Sequence, residues 1–192
     1  MLEKISIVGI GGTADKTSST EFALLAALSA ASAQGAETRL FGGEFLTRLP
    51  HYSARNSERT ADERELVAAV RGADGLIIAS PGYHGNMSGL VKNALDLLEE
   101  TARDTERPYL TDMPVGIIAT AYGWQAVGST IAGLRAVVHA FRAWPTPYAA
   151  GINSLTSPFD PATGSTAPEV MDQLATVGRQ VATAARTFLC KG

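Results

Sequence analysis

A loop rich in glycine and hydroxyl side chains follows the first apolar run of the sequence. It reads Gly9-Ile10-Gly11-Gly12-Thr13-Ala14-Asp15-Lys16-Thr17-Ser18-Ser19-Thr20 and leads into a helical pattern. The free N–H groups and the positive dipole end of a helix that begins here favour an anion, and Lys16 adds charge. The alternative is that the glycines only form a tight turn and that Ser18 only caps the helix. The side chains that offer hydroxyl donors to a phosphate are Thr13, Thr17, Ser18, Ser19 and Thr20.

The same loop also matches a loose dinucleotide-binding pattern, with Gly9, Gly11 and Ala14 in its small-residue positions. That pattern requires the helix to begin within the glycine motif, whereas Asp15-Lys16-Thr17 intervene here. The end of the second strand, Leu40-Phe41-Gly42-Gly43, offers no acidic ribose ligand before Glu44. A terminal monophosphate therefore suits the loop better than a pyrophosphate.

Two further loops combine small residues with aromatic side chains. The segment Ser80-Pro81-Gly82-Tyr83-His84-Gly85-Asn86 has glycines that admit a flat ligand, against which Tyr83 or His84 can lie. A lone loop histidine is more commonly exposed or hydrogen-bonded than functional. In Thr120-Ala121-Tyr122-Gly123-Trp124, an aromatic side chain can form an apolar wall. The alternative is a surface turn in which Trp124 packs on a neighbouring helix.

Short apolar runs alternate with amphipathic stretches, which indicates βαβ units around a parallel sheet buried on both faces. Capping boxes mark helix starts at Ser18–Glu21, Thr60–Glu63 and Thr166–Glu169. The helix from Gly89 to Glu100 has an apolar face wide enough for a core and a subunit contact together, with Lys92, Asn93 and Asp96 as anchoring or contacting groups. The predicted strands are Ile5 to Gly9, Glu37 to Phe41, Gly75 to Ser80, Pro114 to Thr120 and Pro147 to Ile152.

Five such strands fit either a five-stranded doubly wound sheet or half of a longer dinucleotide fold. In both, ligands bind outside the carboxyl ends of the strands, where all three loops lie. The 192 residues are expected to form one domain, 1–192.

Composition excludes several classes of function. The net charge is −3 and the sixteen basic residues are dispersed, so nucleic acid is an unlikely partner. The single cysteine, Cys190, allows no intrachain disulfide or cysteine-based metal cluster. No signal peptide or membrane span is evident, so a cytoplasmic protein is expected. No metal-ligand spacing occurs, and His51, His84 and His139 have no nucleophile motif beside them.

The segment Pro81-Gly82-Tyr83-His84-Gly85, continuing to Gly89-Leu90-Val91-Lys92-Asn93-Ala94-Leu95-Asp96, resembles the signature of the NADPH-dependent FMN reductase family of flavodoxin-like flavoproteins. The first loop is similar to that family's phosphate loop, and the resemblance covers roughly residues 4 to 150. Asp15 stands where the family has arginine, and Gly82 where an acidic residue is frequent. A carboxylate repels a phosphate unless Lys16 or another basic side chain compensates. The first-loop positions that match are Gly12, Thr13, Ser18 and Thr20.

The resemblance implies a flavodoxin-like three-layer α/β sandwich with a five-stranded parallel sheet in the order 2-1-3-4-5. It further implies FMN as cofactor, NADPH or NADH as hydride donor to flavin N5, and no catalytic side chain, because the cofactor carries the chemistry. Backbone donors from Tyr83 to Gly85 and from Tyr122 to Trp124 would stabilise the reduced ring. The implied cofactor-binding residues are Gly12, Thr13, Lys16, Ser18, Ser19, Thr20, Pro81, Gly82, Tyr83, His84, Gly85, Asn86, Thr120, Ala121, Tyr122, Gly123 and Trp124.

The implied partners are a small electron acceptor such as free flavin or a quinone, or a flavin-dependent monooxygenase. A homodimer or homotetramer through the helix Gly89 to Glu100 is also implied, and Arg103 and Arg107 are candidates to meet a 2′-phosphate of NADPH. Two other functions remain open. A flavodoxin-like electron carrier would be more acidic, with a denser threonine-rich loop, whereas a dehydrogenase would bind a dinucleotide and no flavin.

Overall fold

The computed structural model describes residues 4–15 and 17–189. The predictions for Lys16 and Cys190, and the interpretation of residues 1–3, therefore lie outside the described residues. Within them, the chain forms six strands and six α-helices. The two additional elements that the sequence did not predict, a one-turn helix and a two-residue strand, both lie next to the predicted ligand loops.

The strands form one twisted sheet with its ligand loops along a single edge. They are β1 (Ser6–Gly11), β2 (Glu37–Phe41), β3 (Gly75–Tyr83), β4 (Asn86–Met87), β5 (Pro114–Ala121) and β6 (Trp144–Asn153). The five long strands are parallel in the order β2-β1-β3-β5-β6, and β4 pairs antiparallel with the end of β3. Counting the long strands alone gives the order 2-1-3-4-5, so the predicted fold is confirmed.

The helices cover both faces of this sheet. They are α1 (Ser19–Ala33), α2 (Gly43–Leu46), α3 (Ala61–Arg71), α4 (Gly89–Leu97), α5 (Trp124–Ala140) and α6 (Pro168–Leu189). Helices α1 and α6 pack on one face of the sheet with Ile7, and α2 to α5 pack on the other with Val8. Since successive strand side chains point to opposite faces, this explains why the strands are continuous apolar runs.

Two strands extend two or more residues beyond their predicted ends at the ligand edge, and β5 and β6 each extend one residue, to Ala121 and Asn153. Strand β1 reaches Gly11 instead of Gly9, and β3 reaches Tyr83 instead of Ser80. The β3 extension follows from pairing, since Pro81 aligns with Thr120 of β5 and Gly82 with Met87 of β4. Proline and glycine at these positions had indicated a loop. The loop before β6 is shorter than predicted, because that strand begins at Trp144.

The three predicted capping boxes have different outcomes. At Thr60 both halves are present, since the hydroxyl accepts from the N–H of Glu63 and the Glu63 carboxylate accepts from the N–H of Thr60. At Ser18 only the serine half forms, because the Glu21 carboxylate accepts from the N–H of Gly43 instead, at 2.6 Å. Thr166 lies before α6, and its hydroxyl donates to the carbonyl oxygens of Ser157 and Pro158.

The wide apolar face of α4 is used by the core of the chain itself. Its residues Val91, Ala94, Leu95 and Leu97 are buried, and Leu98 in the following 3₁₀ turn is buried with them. The core therefore uses most of the apolar face, and a subunit contact through this helix stays a prediction.

The anchoring role predicted on the polar face of α4 is confirmed for Asn93. The Asn93 amide accepts from the N–H of Tyr52 at 2.8 Å and donates to the carbonyl of Pro50 at 2.9 Å. These bonds tie the loop between α2 and α3 to the helix. Lys92 and Asp96 pair with each other at 2.5 Å, one turn apart.

Candidate ligand-binding site

A cleft of about 580 Å³ opens at the carboxyl edge of the sheet. All three loops predicted from the sequence contribute to it, and the loop after β6 closes one end. Because it meets the carboxyl ends of β1, β3 and β5, it occupies the usual ligand position of a doubly wound sheet. Its lining residues are Thr13, Asp15, Thr17, Ser18, Ser19, Thr20, Pro81, Gly82, Tyr83, Thr120, Ala121, Tyr122, Gly123, Ala126 and Ser154.

The first loop brings hydroxyls to the start of α1. The Ser18 oxygen accepts from the N–H of Glu21 at 3.3 Å, which caps the helix and leaves the hydroxyl hydrogen free to donate. Ser19 and Thr13 are half-buried and Thr17 is exposed. The helix N-terminus adds its positive dipole end. Capping and anion binding, which the sequence left as alternatives, are therefore compatible at Ser18.

Thr20 and Thr120 connect the first and third loops across the cleft floor. Their hydroxyl oxygens are 2.6 Å apart, and the two residues are 2% and 3% exposed. Both were predicted as ligand contacts. One of the two hydroxyl hydrogens is used in this bond, so their first role in the fold is to hold the two loops together.

We expect Thr120→Val to lower the free energy of unfolding by about 2 kcal/mol, because it leaves the buried Thr20 hydroxyl without its partner. Urea denaturation measures this change. The double variant Thr20→Val/Thr120→Val removes both polar groups and should cost less than the sum of the two single changes. Additive costs would show that the two hydroxyls do not depend on each other.

Three glycines pack closely around the Glu21 side chain, and we call this cluster the glycine node. They are Gly12 of the first loop and Gly42 and Gly43 at the start of α2. A Cβ added to Gly43 would overlap the carbonyl oxygen of Thr13, and one added to Gly42 would lie 2.6 Å from the Glu21 carboxylate. Gly12 adopts a φ of +130°, and a Cβ there would lie 2.8 Å from the same carboxylate. Gly12 was predicted to contact the ligand but does not line the cleft. It allows α2 and the first loop to approach each other.

The second loop is a β-hairpin whose tip lies outside the lining of the cleft. Tyr83 pairs with Asn86, and the two residues between them, His84 and Gly85, have φ values of +50° and +86°. Positive φ at both positions is the signature of a type I′ turn. The Asn86 side-chain oxygen accepts from the N–H of Met87, and it leaves no room for a Cβ on Gly133 of α5. Pro81, Gly82 and Tyr83 line the cleft, whereas His84, Gly85 and Asn86 do not.

The third loop presents backbone donors and an exposed aromatic ring. Gly123 is the N-cap of α5, no side chain caps that helix, and a Cβ on Gly123 would meet no atom within 4 Å. The first N–H groups of α5 are therefore accessible to a ligand. Tyr122 lines the cleft and is 75% exposed. Trp124 is 63% exposed and lies outside the lining of the cleft. The alternative interpretation, in which Trp124 packs on a neighbouring helix, does not fit this exposure.

Three lining residues were not predicted as ligand contacts: Asp15, Ala126 and Ser154. Thr17, which was predicted as a hydroxyl donor, also lines the cleft. Ser154 follows β6 directly, and its N–H donates to the carbonyl of Ala121 at 2.8 Å. Its position after the fifth parallel strand is the signal that could have identified it, since the carboxyl ends of parallel strands meet at one edge.

The arginine suggested for a 2′-phosphate lies at the other edge of the sheet. The guanidinium of Arg107 donates to the carbonyls of Val70, Arg71 and Ala73, at the end of α3 and just before β3 begins. Burial lowers its pKa from the ordinary value, although Asp74 and Asp104 act in the opposite direction. Arg107 is therefore a helix C-cap, remote from the cleft. Arg103, in the same connection, is exposed.

Fold and cleft together define a doubly wound α/β protein with a ligand site at its switch edge, and the comparisons with known proteins agree. The model of the NADPH-dependent FMN reductase family matches residues 5–155. The chain belongs to this family. In the described residues, no helix is long and apolar enough to cross a membrane, and no group of three or more His, Cys, Asp or Glu side chains is placed to hold a metal ion.

Curated relatives match over part of the chain. An NADPH azoreductase from Bacillus sp. (strain OY1-2) is 33% identical over 79 residues, which is 41% of this chain and 40% of that protein. An FMN-dependent NADPH-azoreductase of Staphylococcus aureus is 38% identical over 60 residues, 31% of this chain and 28% of that protein. The matched stretch is thus less than half the length of either relative. The crystal structure of an NADH:FMN oxidoreductase in its apo form superposes with a TM-score of 0.72 and 24% identity over 94% of this chain and 89% of that one.

Proposed function

We propose that this chain is an NAD(P)H-dependent flavin reductase that binds FMN in the cleft at the carboxyl edge. The observation that supports it best is the division of the cleft into two ends. One end has the hydroxyls of the first loop at the N-terminus of α1, and the other has glycines, backbone donors and aromatic rings. These match the phosphate and the ring of FMN respectively.

The assignment of the site residues follows from this division. At the phosphate end, the donors are Thr13, Thr17, Ser18 and Ser19. At the ring end, Pro81, Gly82 and Tyr83 form one wall, and Ala121, Tyr122 and Gly123 form the other. Thr20, Thr120 and Gly12 hold the loops in place, and the hairpin tip with His84, Gly85 and Asn86, together with Trp124, lies at the rim.

The side chains of the cleft orient the cofactor rather than react. FMN held by these residues would supply the redox chemistry, namely the capacity to take up a hydride. Besides Asp15, the titratable groups among the described lining residues are the phenols of Tyr83 and Tyr122. The chain contributes backbone N–H donors near the ring and walls that exclude water, which is the preorganised environment that favours the charged reduced ring.

We propose one flavin-binding domain for residues 1–192, because Leu174 and Val177 of α6 share a core with α1, beyond the residues matched by the family model. A homodimer or homotetramer is also proposed. Contact through residues 89–100 would use the exposed Lys92 and Glu99 and the half-buried Leu90, since the apolar face is already covered.

The reductase proposal is tested by anaerobic titration of the FMN-reconstituted protein with NADPH, then with NADH. Rapid bleaching of the flavin absorbance supports a reductase. Bound FMN that neither nucleotide bleaches favours the electron carrier, which would receive electrons from a partner protein. A protein that binds nicotinamide dinucleotide but no flavin favours the dehydrogenase.

We propose flat aromatic acceptors, such as a quinone, a free flavin or an azo compound, because Tyr83 and Tyr122 expose 53% and 75% of their surface at the mouth of the cleft. Tyr122→Ala is expected to raise KM for a quinone about fivefold, since stacking on an aromatic ring is worth roughly 1 kcal/mol. Steady-state kinetics with ferricyanide beside the quinone make the comparison, because ferricyanide cannot stack.

The matched control for this change is Trp144→Ala, an exposed aromatic residue at the amino end of β6. It should leave both KM values unchanged. An equal rise in KM for ferricyanide and quinone in Tyr122→Ala would contradict the stacking role.

A further inference from the structure

The phosphate end of the cleft carries negative charge of its own. Asp15 is exposed and lines both the main cleft and a smaller neighbouring one of about 260 Å³. Glu21 lies in the first turn of α1, half-buried, with its carboxylate against Gly12 and Gly43. Two carboxylates therefore flank the loop that receives a phosphate. The described residues that line the two clefts include no basic side chain.

The loop also uses one of its backbone donors internally. The N–H of Asp15 donates to the Thr13 hydroxyl oxygen at 3.2 Å. The N–H of Asp15 is therefore already used within the loop. The remaining donors are neutral hydroxyls and the first N–H groups of α1, whose dipole end is equivalent to about half a positive charge. A doubly charged phosphate placed here is repelled by the Asp15 carboxylate, and this repulsion opposes the attraction of the helix dipole.

We propose that Asp15 sets the preference of this site between phosphorylated and unphosphorylated flavins. By weakening the hold on the phosphate, it makes riboflavin and FMN bind with similar affinity and makes FMN an exchangeable ligand. This inference rests on the proposed function, because it takes the phosphate to lie at the first loop. Asp15 acts here as a specificity-determining residue and takes no part in electron transfer.

The test measures Kd for FMN and for riboflavin separately, by quenching of flavin fluorescence, in the wild type and in Asp15→Asn. Removing the charge should tighten FMN about fivefold at low salt and leave riboflavin unchanged, since only FMN carries the phosphate. The FMN effect should shrink in about 1 M NaCl, where screening is strong. Glu106→Gln removes an exposed carboxylate near Arg107, at the opposite edge of the sheet, and should change neither Kd.

The outcomes separate this inference from the proposed function. If the wild type binds FMN more than about a hundredfold more tightly than riboflavin, the inference about Asp15 is overturned and the proposed function stands. An Asp15→Asn variant in which the ratio of the two Kd values is unchanged has the same consequence. A wild type that binds neither flavin overturns the proposed function and this inference together.

Discussion

Replacing Gly43 with alanine is expected to lower the free energy of unfolding by about 3 kcal/mol and to weaken FMN binding more than any other single change considered. Gly43 begins α2 directly beneath the first loop, where an added Cβ would overlap the carbonyl oxygen of Thr13. Backbone cannot swing aside as a side-chain tip can, so α2 or the loop must move. Either movement disturbs the Glu21 bond to the Gly43 N–H and the hydroxyls that follow Thr13.

Gly128→Ala is the matched control for Gly43→Ala. Gly128 lies in α5, is exposed, and has no atom within 4 Å of an added Cβ. Alanine should therefore stabilise the protein there, by about 0.5–1 kcal/mol, through helix propensity alone. Urea denaturation and FMN fluorescence quenching measure both effects. If Gly43→Ala keeps the stability and the FMN affinity of the wild type, the glycine node can rearrange around the added Cβ with little loss of free energy.

Arg59→Ala is expected to destabilise the protein by about 3 kcal/mol, because it leaves the buried carboxylate of Glu63 without its cationic partner. The side chains of Arg59 and Glu63 are 8% and 3% exposed, with nitrogen and oxygen 3.5 Å apart. Arg59 also pairs with Glu100 at 2.8 Å, donates to the carbonyl of Ser53, and lies over the ring of Tyr52. The change thus releases the α2–α3 loop and removes the positive charge beside the buried Glu63 side chain. Chemical denaturation measures the loss.

Two variants isolate the cause of that loss. Arg59→Met/Glu63→Gln removes both charges while the glutamine oxygen can still accept from the Thr60 N–H, so it should cost less than Arg59→Ala alone. Arg39→Ala breaks a pair with Glu65 in which both side chains are about half exposed, and should cost less than about 1 kcal/mol. Equal costs for Arg39→Ala and Arg59→Ala would refute the importance of burial.

The fold was predictable because its determinants are local and repeated. Continuous apolar runs such as residues 75–80 and 114–120 can only be strands buried on both faces, and the capping box at Thr60 marks a helix start without reference to the rest of the chain. The short α2 helix was missed because it is stabilised from outside its own sequence, by the Glu21 carboxylate on the Gly43 N–H. No local pattern in the residues Gly43–Leu46 predicts that hydrogen bond.

The location of the site was predictable, but the roles of its residues were less so. Parallel strands require the three loops to meet at one edge of the sheet. Of the seventeen residues implied to bind the cofactor, eleven line the cleft. Whether a hydroxyl faces a ligand or another hydroxyl depends on contacts between distant segments, as for Thr20 and Thr120, one hundred positions apart. The position of the hairpin tip likewise depends on a distant residue, because Gly133 in α5 has no Cβ and so leaves room for the Asn86 side chain. The assignment of these residues to FMN stays a prediction.

The close packing of α6 on α1 limits where this chain can be cut. Gly178 of α6 lies so near the carbonyl oxygen of Ala27 that a Cβ would overlap it, and Val177 and Val181 fill the layer between α1 and the sheet. A fragment trimmed to the family-matched residues 5–155 would expose Leu24, Leu28 and Ile118 to water. Such a fragment is expected to aggregate even though it contains every residue that lines the cleft. The span that carries the family's sequence signature is therefore smaller than the span that must be expressed to obtain a folded protein.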